Sequence, residues 1–192
     1  MYFNSTALQK KLSKEITKLK ECNSRIFLVG MMGSGKSTIG KLLSQISGKK
    51  FIEMDEVIEA ESEISIKEMF ALYGEAFFRE KERDLLNSIC QNSENSNSII
   101  SCGGGIFTNE ENISKIASSG ISIFLNANSR ILEERLKNDS KRPLINAPQS
   151  VTKLLSARIP FYTQANIMVD LQSHNLEENT SKTLDEIYKY LP

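Results

Sequence analysis

The sequence lacks the features that mark several classes of protein. Its 24 basic and 24 acidic residues give a net charge of zero, so the broad positive potential of a nucleic-acid or anionic-membrane binder is missing. No apolar run approaches the roughly 20 residues that span a bilayer, and the N-terminal residues lack the apolar stretch of a secretory signal. We therefore expect a soluble protein with neither a nucleic-acid nor a membrane partner.

Cysteine and histidine are also scarce. The three cysteines, Cys22, Cys90 and Cys102, are widely spaced and include no C-x-x-C pair, which argues against a disulfide framework and a zinc site. Cys102 has no basic neighbour to stabilise a thiolate, so we expect a small buried side chain there. The single histidine, His174, lies in a polar segment and is expected to be solvated. These observations indicate the reducing environment of the cytoplasm.

Short runs of strand-forming residues alternate with helical segments along the chain. Strands are predicted at 26–29, 51–54, 98–102, 121–125 and 167–169. Gly48 is placed to end the first helix between them, and Ser65 with Glu68 fits a capping box. The alternation implies a five-stranded parallel sheet covered on both faces, a three-layer α/β/α fold. A length of 192 residues suits one domain.

An additional helix is predicted before the first strand. Residues 6–21 carry a narrow apolar stripe among many lysines, formed by Leu8, Leu12, Ile16 and Leu19. We divide the chain into an N-terminal helical extension, residues 1–24, and a single domain, residues 25–192. A helix packed on the domain, a targeting remnant and a partner contact all remain open for the extension.

The sequence from Gly30 to Ser37 fits the phosphate-loop pattern G-x-x-x-x-G-K-[ST] at every fixed position. It lies between a predicted strand and a predicted helix, where backbone N–H groups and the helix N-terminus attract phosphate. Lys36 would neutralise the β and γ phosphates, and the Ser37 hydroxyl would be a ligand of Mg²⁺. The alternative is a glycine-rich turn that only caps a helix. The residues expected to bind ATP here are Gly33, Ser34, Gly35, Lys36, Ser37 and Thr38.

The phosphate loop does not identify the acceptor of the phosphoryl group. We find none of the base-reading and switch motifs of a GTPase, so a small-molecule kinase fits better. Glu53 and Asp55 end the second predicted strand, two residues apart, and should therefore share a face of the sheet. One carboxylate could act through the water shell of the metal while the other orients the acceptor hydroxyl. Alternatively, Asp55 caps the next helix and Glu53 is solvated.

Two further segments are candidates for the acceptor site. Arg79 and Glu82 lie three residues apart on one helix face, although an ordinary surface ion pair would look the same. Gly103, Gly104 and Gly105 follow a buried strand, where three glycines indicate close approach to a ligand or unusual dihedral angles. A flexible loop is the alternative.

Three arginines in the second half of the chain could bind anions. Arg135 and Arg142 flank a loop that Pro143 stiffens, and a flap carrying them could close over phosphates with bidentate contacts. Solubilising surface charge is the alternative. Arg158 follows a helical stretch and could equally be a helix C-terminal charge.

Taken together, these motifs resemble the shikimate kinase family. The resemblance covers residues 25–170 and is carried by the phosphate loop, Phe51-x-x-x-Asp55, Gly74-Glu75 with Arg79 and Glu82, Gly103 to Gly105, Arg142-Pro143-Leu144, and Arg158 with Tyr162. It implies a fold like that of nucleoside monophosphate kinases, with a substrate-binding part at about 56–90 and a lid at about 135–149. It also implies transfer of the γ-phosphoryl group of MgATP to the 3-hydroxyl of shikimate.

The resemblance also implies roles for individual residues. Asp55 would hold the acceptor hydroxyl, and Arg79 and Arg158 the substrate carboxylate. Gly103 to Gly105 would bind a ring hydroxyl through the backbone. Arg142 would reach the transferred phosphate from the lid, and Arg135 would lie along the adenine. The catalytic residues would then be Lys36, Asp55 and Arg142, with Mg²⁺ on Ser37 and, through water, on Glu53.

This chain departs from the family pattern at Glu53, where relatives have Asp, and in the segment 171–178, which lacks an arginine that some relatives place near adenine. The alternatives are another small-molecule kinase of this fold, such as a gluconate kinase, and a nucleotide-binding relative without catalysis. The intact set Lys36, Asp55, Arg79, Arg142 and Arg158 argues against the latter. We expect a monomer.

Overall fold

The computed structural model describes residues 12–136 and 148–192. The first part of the predicted N-terminal extension, residues 1–11, lies outside the described residues. So does most of the predicted lid, residues 137–147, including Arg142.

The described strands form one parallel sheet. They are β1 (Arg25–Val29), β2 (Lys50–Glu53), β3 (Ser98–Ser101), β4 (Gly120–Ala127) and β5 (Ile167–Leu171), in the spatial order β2-β3-β1-β4-β5. Every neighbouring pair is parallel. The carboxyl ends of all five strands therefore lie along one edge of the sheet, where an open parallel sheet binds its ligands.

Helices cover both faces of the sheet. Those of the described part are α1 (Ser13–Glu21), α2 (Lys36–Ser47), α3 (Met54–Ser62), α4 (Ile66–Gln91), α5 (Glu110–Ser119), α6 (Ser129–Leu136), α7 (Pro148–Tyr162) and α8 (Leu176–Tyr190). Helices α1, α2 and α8 pack together as one group, and α5 packs against α4 and β4. The predicted three-layer α/β/α fold with five parallel strands is confirmed.

Helix α4 begins where its sequence predicts, and it bends at Gly74. Ser65 and Glu68 form the predicted capping box, since the Ser65 side chain accepts from the Glu68 N–H and Glu68 reaches back to the Ser65 N–H. Gly74 interrupts the helical dihedral angles with φ 78° and ψ 175°. Only glycine adopts such a conformation readily, so the segment carrying Arg79 starts in a new direction after Gly74.

The prediction that Glu53 and Asp55 share one face of a strand is wrong. Strand β2 ends at Glu53, and α3 begins at Met54 without an intervening loop. Asp55 therefore lies in the first turn of α3. Side chains there follow the helical period and do not alternate between the two faces of the sheet. Glu53 occupies the N-cap position but makes no side-chain capping bond, so neither carboxylate is explained as a helix cap.

Helix α1 packs against α8. Ile16 and Leu19 are buried, and Lys18 Nζ donates to the Leu191 carbonyl at 2.6 Å and to the Tyr188 carbonyl at 3.2 Å. These carbonyls end α8, where a positive charge also complements the helix dipole. Of the interpretations left open for the extension, packing on the domain agrees with the described residues of α1.

The core of the described part lies on both sides of the sheet, and Cys102 is buried in it as predicted. All three cysteines are free thiols. None of the helices that the structure describes has the length and apolar character to span a bilayer.

Candidate active site

The loop between β1 and α2 has the backbone conformation of a phosphate cradle. Gly30, Gly33 and Gly35 have φ angles of 135°, 79° and 98°, which side chains rarely adopt. Lys36 is buried, with only 8% of its surface exposed. Its Nζ donates to the Gly30 and Met31 carbonyls at 3.0 Å each. The loop thus curls around the ammonium group, which holds a positive charge at the N-terminus of α2.

A cavity of about 390 Å³ opens over this loop. Its lining residues are Gly33, Ser34, Gly35, Lys36, Ser37, Thr38, Ile39, Arg135, His174, Leu176 and Asn179. Arg135 extends from α6, and its Nη1 donates to the Gly33 carbonyl at 2.9 Å. Desolvation lowers the pKa of Arg135, yet an arginine of this kind stays charged at neutral pH. The structure therefore brings every predicted ATP-binding residue that it describes to one cavity.

Four residues of this cavity lining were not predicted, and one of them, Ile39, lies in the first turn of α2. His174 is exposed, as predicted, yet it lies at the cavity, and its Nε2 is 3.0 Å from Glu134 Oε2. Leu176 and Asn179 come from the first turn of α8. The position of His174, Leu176 and Asn179 after β5 could have indicated this, because a segment that directly follows a parallel strand lies at the carboxyl edge of the sheet.

Glu53 lies beside the phosphate loop. It is buried to 8% exposure, and burial raises its pKa, while the nearby hydroxyls of Ser37 and Ser101 and the charge of Lys36 lower it. Its Oε2 is buried and accepts no hydrogen bond from the described residues. A buried carboxylate oxygen close to a serine hydroxyl suits a hard cation such as Mg²⁺, which prefers oxygen ligands. Ser37 and Glu53 therefore fit the metal that the phosphate loop implies.

Arg79 and Glu82 form an ion pair in which the carboxylate is buried and the guanidinium is partly exposed. Arg79 Nη1 lies 2.5 Å from Glu82 Oε2, and Arg79 Nη2 lies 2.7 Å from Glu75 Oε1. Glu82 is exposed to only 1%. Burial raises its pKa to about 7, although Arg79 favours the charged form. The alternative of an ordinary surface ion pair does not fit the buried Glu82, because α4 packs this face against the Gly103–Gly105 loop.

Two of the three glycines after β3, Gly103 and Gly105, have side chains packed closely against them. A Cβ on Gly103 would lie 1.9 Å from Glu82 Oε1, and a Cβ on Gly105 would lie 2.4 Å from Arg79 Cζ. A side chain at either position would therefore displace the neighbouring Glu82 or Arg79 side chain. The alternative of a flexible loop fails for the same reason, since Glu82 and Arg79 pack directly on the glycine backbone.

Arg158 and Tyr162 reach the same glycines from α7. Arg158 Nη1 donates to the Gly104 carbonyl at 3.0 Å, and the Tyr162 hydroxyl donates to the same oxygen at 2.5 Å. Arg158 is buried to 8% exposure, so it is not a solvated charge at a helix end. Asp55 completes the group, because its Oδ1 lies 3.2 Å from the position of a Cβ on Gly103.

This cluster adjoins the phosphate loop. The position of a Cβ on Gly104 is 3.4 Å from the Met32 nitrogen and 3.5 Å from Arg158 Nη1. The phosphate loop therefore stands next to a polar cluster of two arginines, one aspartate and the backbone of the triple glycine. Fold and site together define a P-loop phosphotransferase that acts on a small molecule.

The comparisons with known proteins identify the family. Residues 32–188 match the family model described as shikimate kinase. A shikimate kinase from Dehalococcoides mccartyi is 40% identical over 170 residues, which cover 87% of this chain and 95% of the relative. The chain belongs to the shikimate kinase family and is an ATP-dependent kinase.

Solved structures agree with this family. The shikimate kinase from Acinetobacter baumannii, solved in complex with shikimate, superposes with a TM-score of 0.83 at 28% identity, over 90% of this chain and 97% of that one. The enzyme from Bacteroides thetaiotaomicron gives a TM-score of 0.76 at 32% identity, over 86% and 98% of the two chains. A gluconokinase from Sinorhizobium meliloti gives 0.57 at 15% identity, over 88% and 94% of the two chains, which shows a shared fold alone.

Proposed function

We propose that this protein transfers the γ-phosphoryl group of ATP to the 3-hydroxyl of shikimate, giving shikimate 3-phosphate and ADP. The observation that carries the proposal is the polar cluster beside the phosphate loop, where Arg79, Arg158, Asp55 and the Gly103–Gly105 backbone converge. Two arginines suit a carboxylate, and one carboxylate with backbone groups suits ring hydroxyls. A ring acid with several hydroxyls therefore matches this cluster in charge and in hydrogen-bonding groups.

On the donor side, the backbone from Gly33 to Thr38 binds the phosphates of ATP, and Lys36 neutralises their charge. The Lys36 ammonium already lies within the loop. Arg135 forms a wall of the cavity in which the nucleoside lies. When bound, Mg²⁺ would be held by Ser37 and Glu53 and would neutralise charge on the β and γ phosphates.

On the acceptor side, Arg79 and Arg158 bind the carboxylate of shikimate and fix the ring. Glu75 and Glu82 hold the Arg79 guanidinium from two directions, so little rotamer freedom remains to be lost on binding. Asp55 accepts a hydrogen bond from the reacting hydroxyl and takes its proton as the new bond to phosphorus forms.

Transfer itself requires little covalent chemistry from the protein. The phosphoryl group passes through a loose transition state, so the main contributions are alignment of the two substrates and stabilisation of charge. The adjacency of the glycine cluster and the phosphate loop supports such an alignment. Arg142, outside the described residues, and the predicted lid complete this proposal as expectations from the sequence.

The test measures ADP release by the purified protein with MgATP and each of several acceptors. We expect release in proportion to shikimate and none with gluconate or nucleoside monophosphates. Arg79→Ala serves as the matched variant and should weaken shikimate binding while ATP affinity persists. No shikimate-dependent ADP would overturn the proposal, and gluconate-dependent release would favour the gluconate kinase alternative.

We further propose that the protein works in the cytoplasm, because its free thiols suit a reducing compartment. The monomeric state and the lack of nucleic-acid and membrane partners stay predictions from the sequence.

A further inference from the structure

The carbonyl groups of the triple glycine are all engaged by the protein. The Gly103 carbonyl accepts from the Ile106 N–H at 3.2 Å, and the Gly105 carbonyl accepts from the Thr108 N–H at 3.2 Å and the Thr108 hydroxyl at 2.7 Å. The Gly104 carbonyl accepts from Arg158 and Tyr162. By contrast, the N–H groups of these glycines donate to no acceptor among the described residues. The loop therefore presents donors to a ligand.

The direction of one of these donors depends on the Gly104 carbonyl. The Gly104 carbonyl and the Gly105 N–H belong to the same planar trans peptide, so they point in opposite directions. Any group that holds the carbonyl oxygen also fixes where the N–H points. Neither glycine carries a Cβ to restrain the backbone on its own, so this restraint must come from the partners of the carbonyl.

Tyr162 has the properties that such a partner needs. Its side chain is fully buried, and its ring packs on Phe124 with centroids 5.0 Å apart. Burial raises the pKa of its hydroxyl, so the group stays protonated and can donate at neutral pH. The hydroxyl donates to the Gly104 carbonyl at 2.5 Å.

Tyr162 and Arg158 differ in what else they must do. The Arg158 guanidinium donates to the Gly104 carbonyl and is also proposed to bind the acceptor carboxylate. Its N–H donors are therefore divided between the two partners when the acceptor binds. Tyr162 has a single donor, which is directed to Gly104 alone. The tyrosine is thus the partner that commits its only donor to the peptide, and its hydroxyl also lies beside Arg158.

We propose that Tyr162 is a positioning residue for the acceptor: its hydroxyl orients the Gly104–Gly105 peptide so that the Gly105 N–H, which lies beside Arg79, faces the acceptor. This inference rests on the proposed function, since it concerns the shikimate pocket. Tyr162 itself does not touch the substrate. Its effect should therefore appear in the binding of shikimate and not in that of ATP.

The test is Tyr162→Phe, which removes the hydroxyl and retains the ring packing on Phe124. Loss of one neutral hydrogen bond that aims a donor should raise KM for shikimate roughly 2-fold to 10-fold, while KM for ATP stays within twofold. The matched control is Ser47→Ala, which also removes a largely buried hydroxyl donating to a carbonyl, at 2.6 Å to Leu43. That serine lies at the far end of α2, so its removal should change neither KM.

A second readout follows the loop directly. The chain has ten glycines, so ¹⁵N-glycine labelling gives a simple amide spectrum in which Gly103, Gly104 and Gly105 can be assigned. In the wild type, shikimate should shift the Gly105 amide strongly, and in Tyr162→Phe this shift should shrink. The chain has no tryptophan, so calorimetry rather than tryptophan fluorescence should measure shikimate affinity.

Two results would overturn the inference. A wild-type KM for shikimate in Tyr162→Phe would show that Arg158 alone orients the peptide. An equal rise in KM for both substrates would indicate a general change in the fold. Neither result touches the proposed function, which fails only if the wild-type protein shows no shikimate-dependent turnover.

Discussion

Replacing Gly105 with alanine should weaken acceptor binding by moving Arg79. The new Cβ would lie 2.4 Å from Arg79 Cζ and 2.4 Å from Nη1. Non-bonded carbon atoms rest about 3.5 to 4.0 Å apart, so the guanidinium must move by roughly 1 to 1.5 Å. Gly105 has φ −103°, which alanine adopts without strain. The effect therefore arises from the contact and not from the backbone.

The size of the effect follows from what Arg79 holds. A shift of this size breaks or bends its charge-assisted bonds to Glu82 and Glu75 and misaligns it with the carboxylate of shikimate. A hydrogen bond to a charged group contributes about 1.5 to 3 kcal/mol. Losing one such bond to shikimate corresponds to a rise in KM for shikimate of about 10-fold to 100-fold.

The assay is steady-state kinetics on Gly105→Ala, Arg79→Ala and the double variant. If Gly105→Ala acts through Arg79, it should change KM for shikimate less than about twofold once Arg79 is already alanine, because interacting residues are not additive. KM for ATP should be unchanged throughout. An undiminished effect in the Arg79→Ala background, or an equal rise in KM for ATP, would refute the contact as the cause.

Three other perturbations test separate parts of the molecule. Asp55→Asn should lower kcat by about 100-fold or more while ATP still binds in calorimetry, and near-normal turnover would exclude Asp55 as the proton acceptor. Glu82 has its pKa raised from 4.5 to about 7 by burial, so the folded state binds this proton more tightly than the unfolded chain. The free energy of unfolding should therefore fall as pH rises from about 4.5 to about 7. Denaturant titrations at several pH values should show that Glu82→Gln lacks this slope, and parallel curves would assign the slope to another group. Lys18→Met removes a cation from the last carbonyls of α8 and should lower the free energy of unfolding by about 0.5 to 1 kcal/mol with unchanged kinetics; an unchanged midpoint of unfolding would mean that the contact contributes nothing.

Local sequence patterns predicted the fold and most of the residues that line the cavity over the phosphate loop. The phosphate loop is a continuous motif, and its position between β1 and α2 follows from an apolar run stopped by Gly30 and a helical pattern closed by Gly48. The parallel sheet then places the carboxyl ends of β2 and β3 beside that loop. Residues that directly follow these strands could therefore be expected near one another.

The contacts that determine the acceptor half could not be predicted in this way. Arg79 and Glu82 have the spacing of many surface pairs, and their burial depends on how α4 packs against the Gly103–Gly105 loop. The bond from Tyr162 to Gly104 joins residues 58 positions apart. No local period records such a contact, because it depends on the packing of α7 against the loop after β3.

Glycine serves two different physical purposes on the two sides of this site. In the phosphate loop, Gly33 and Gly35 have positive φ angles, so a side chain there strains the backbone whatever its surroundings. In the acceptor loop, Gly105 has an ordinary φ and is needed because Arg79 lies against it. Shortening the neighbouring side chain can therefore make room for alanine at Gly105, whereas no neighbouring substitution removes the backbone strain at Gly35. The sequence shows the same residue in both loops, and the difference in cause lies in the dihedral angles and contacts.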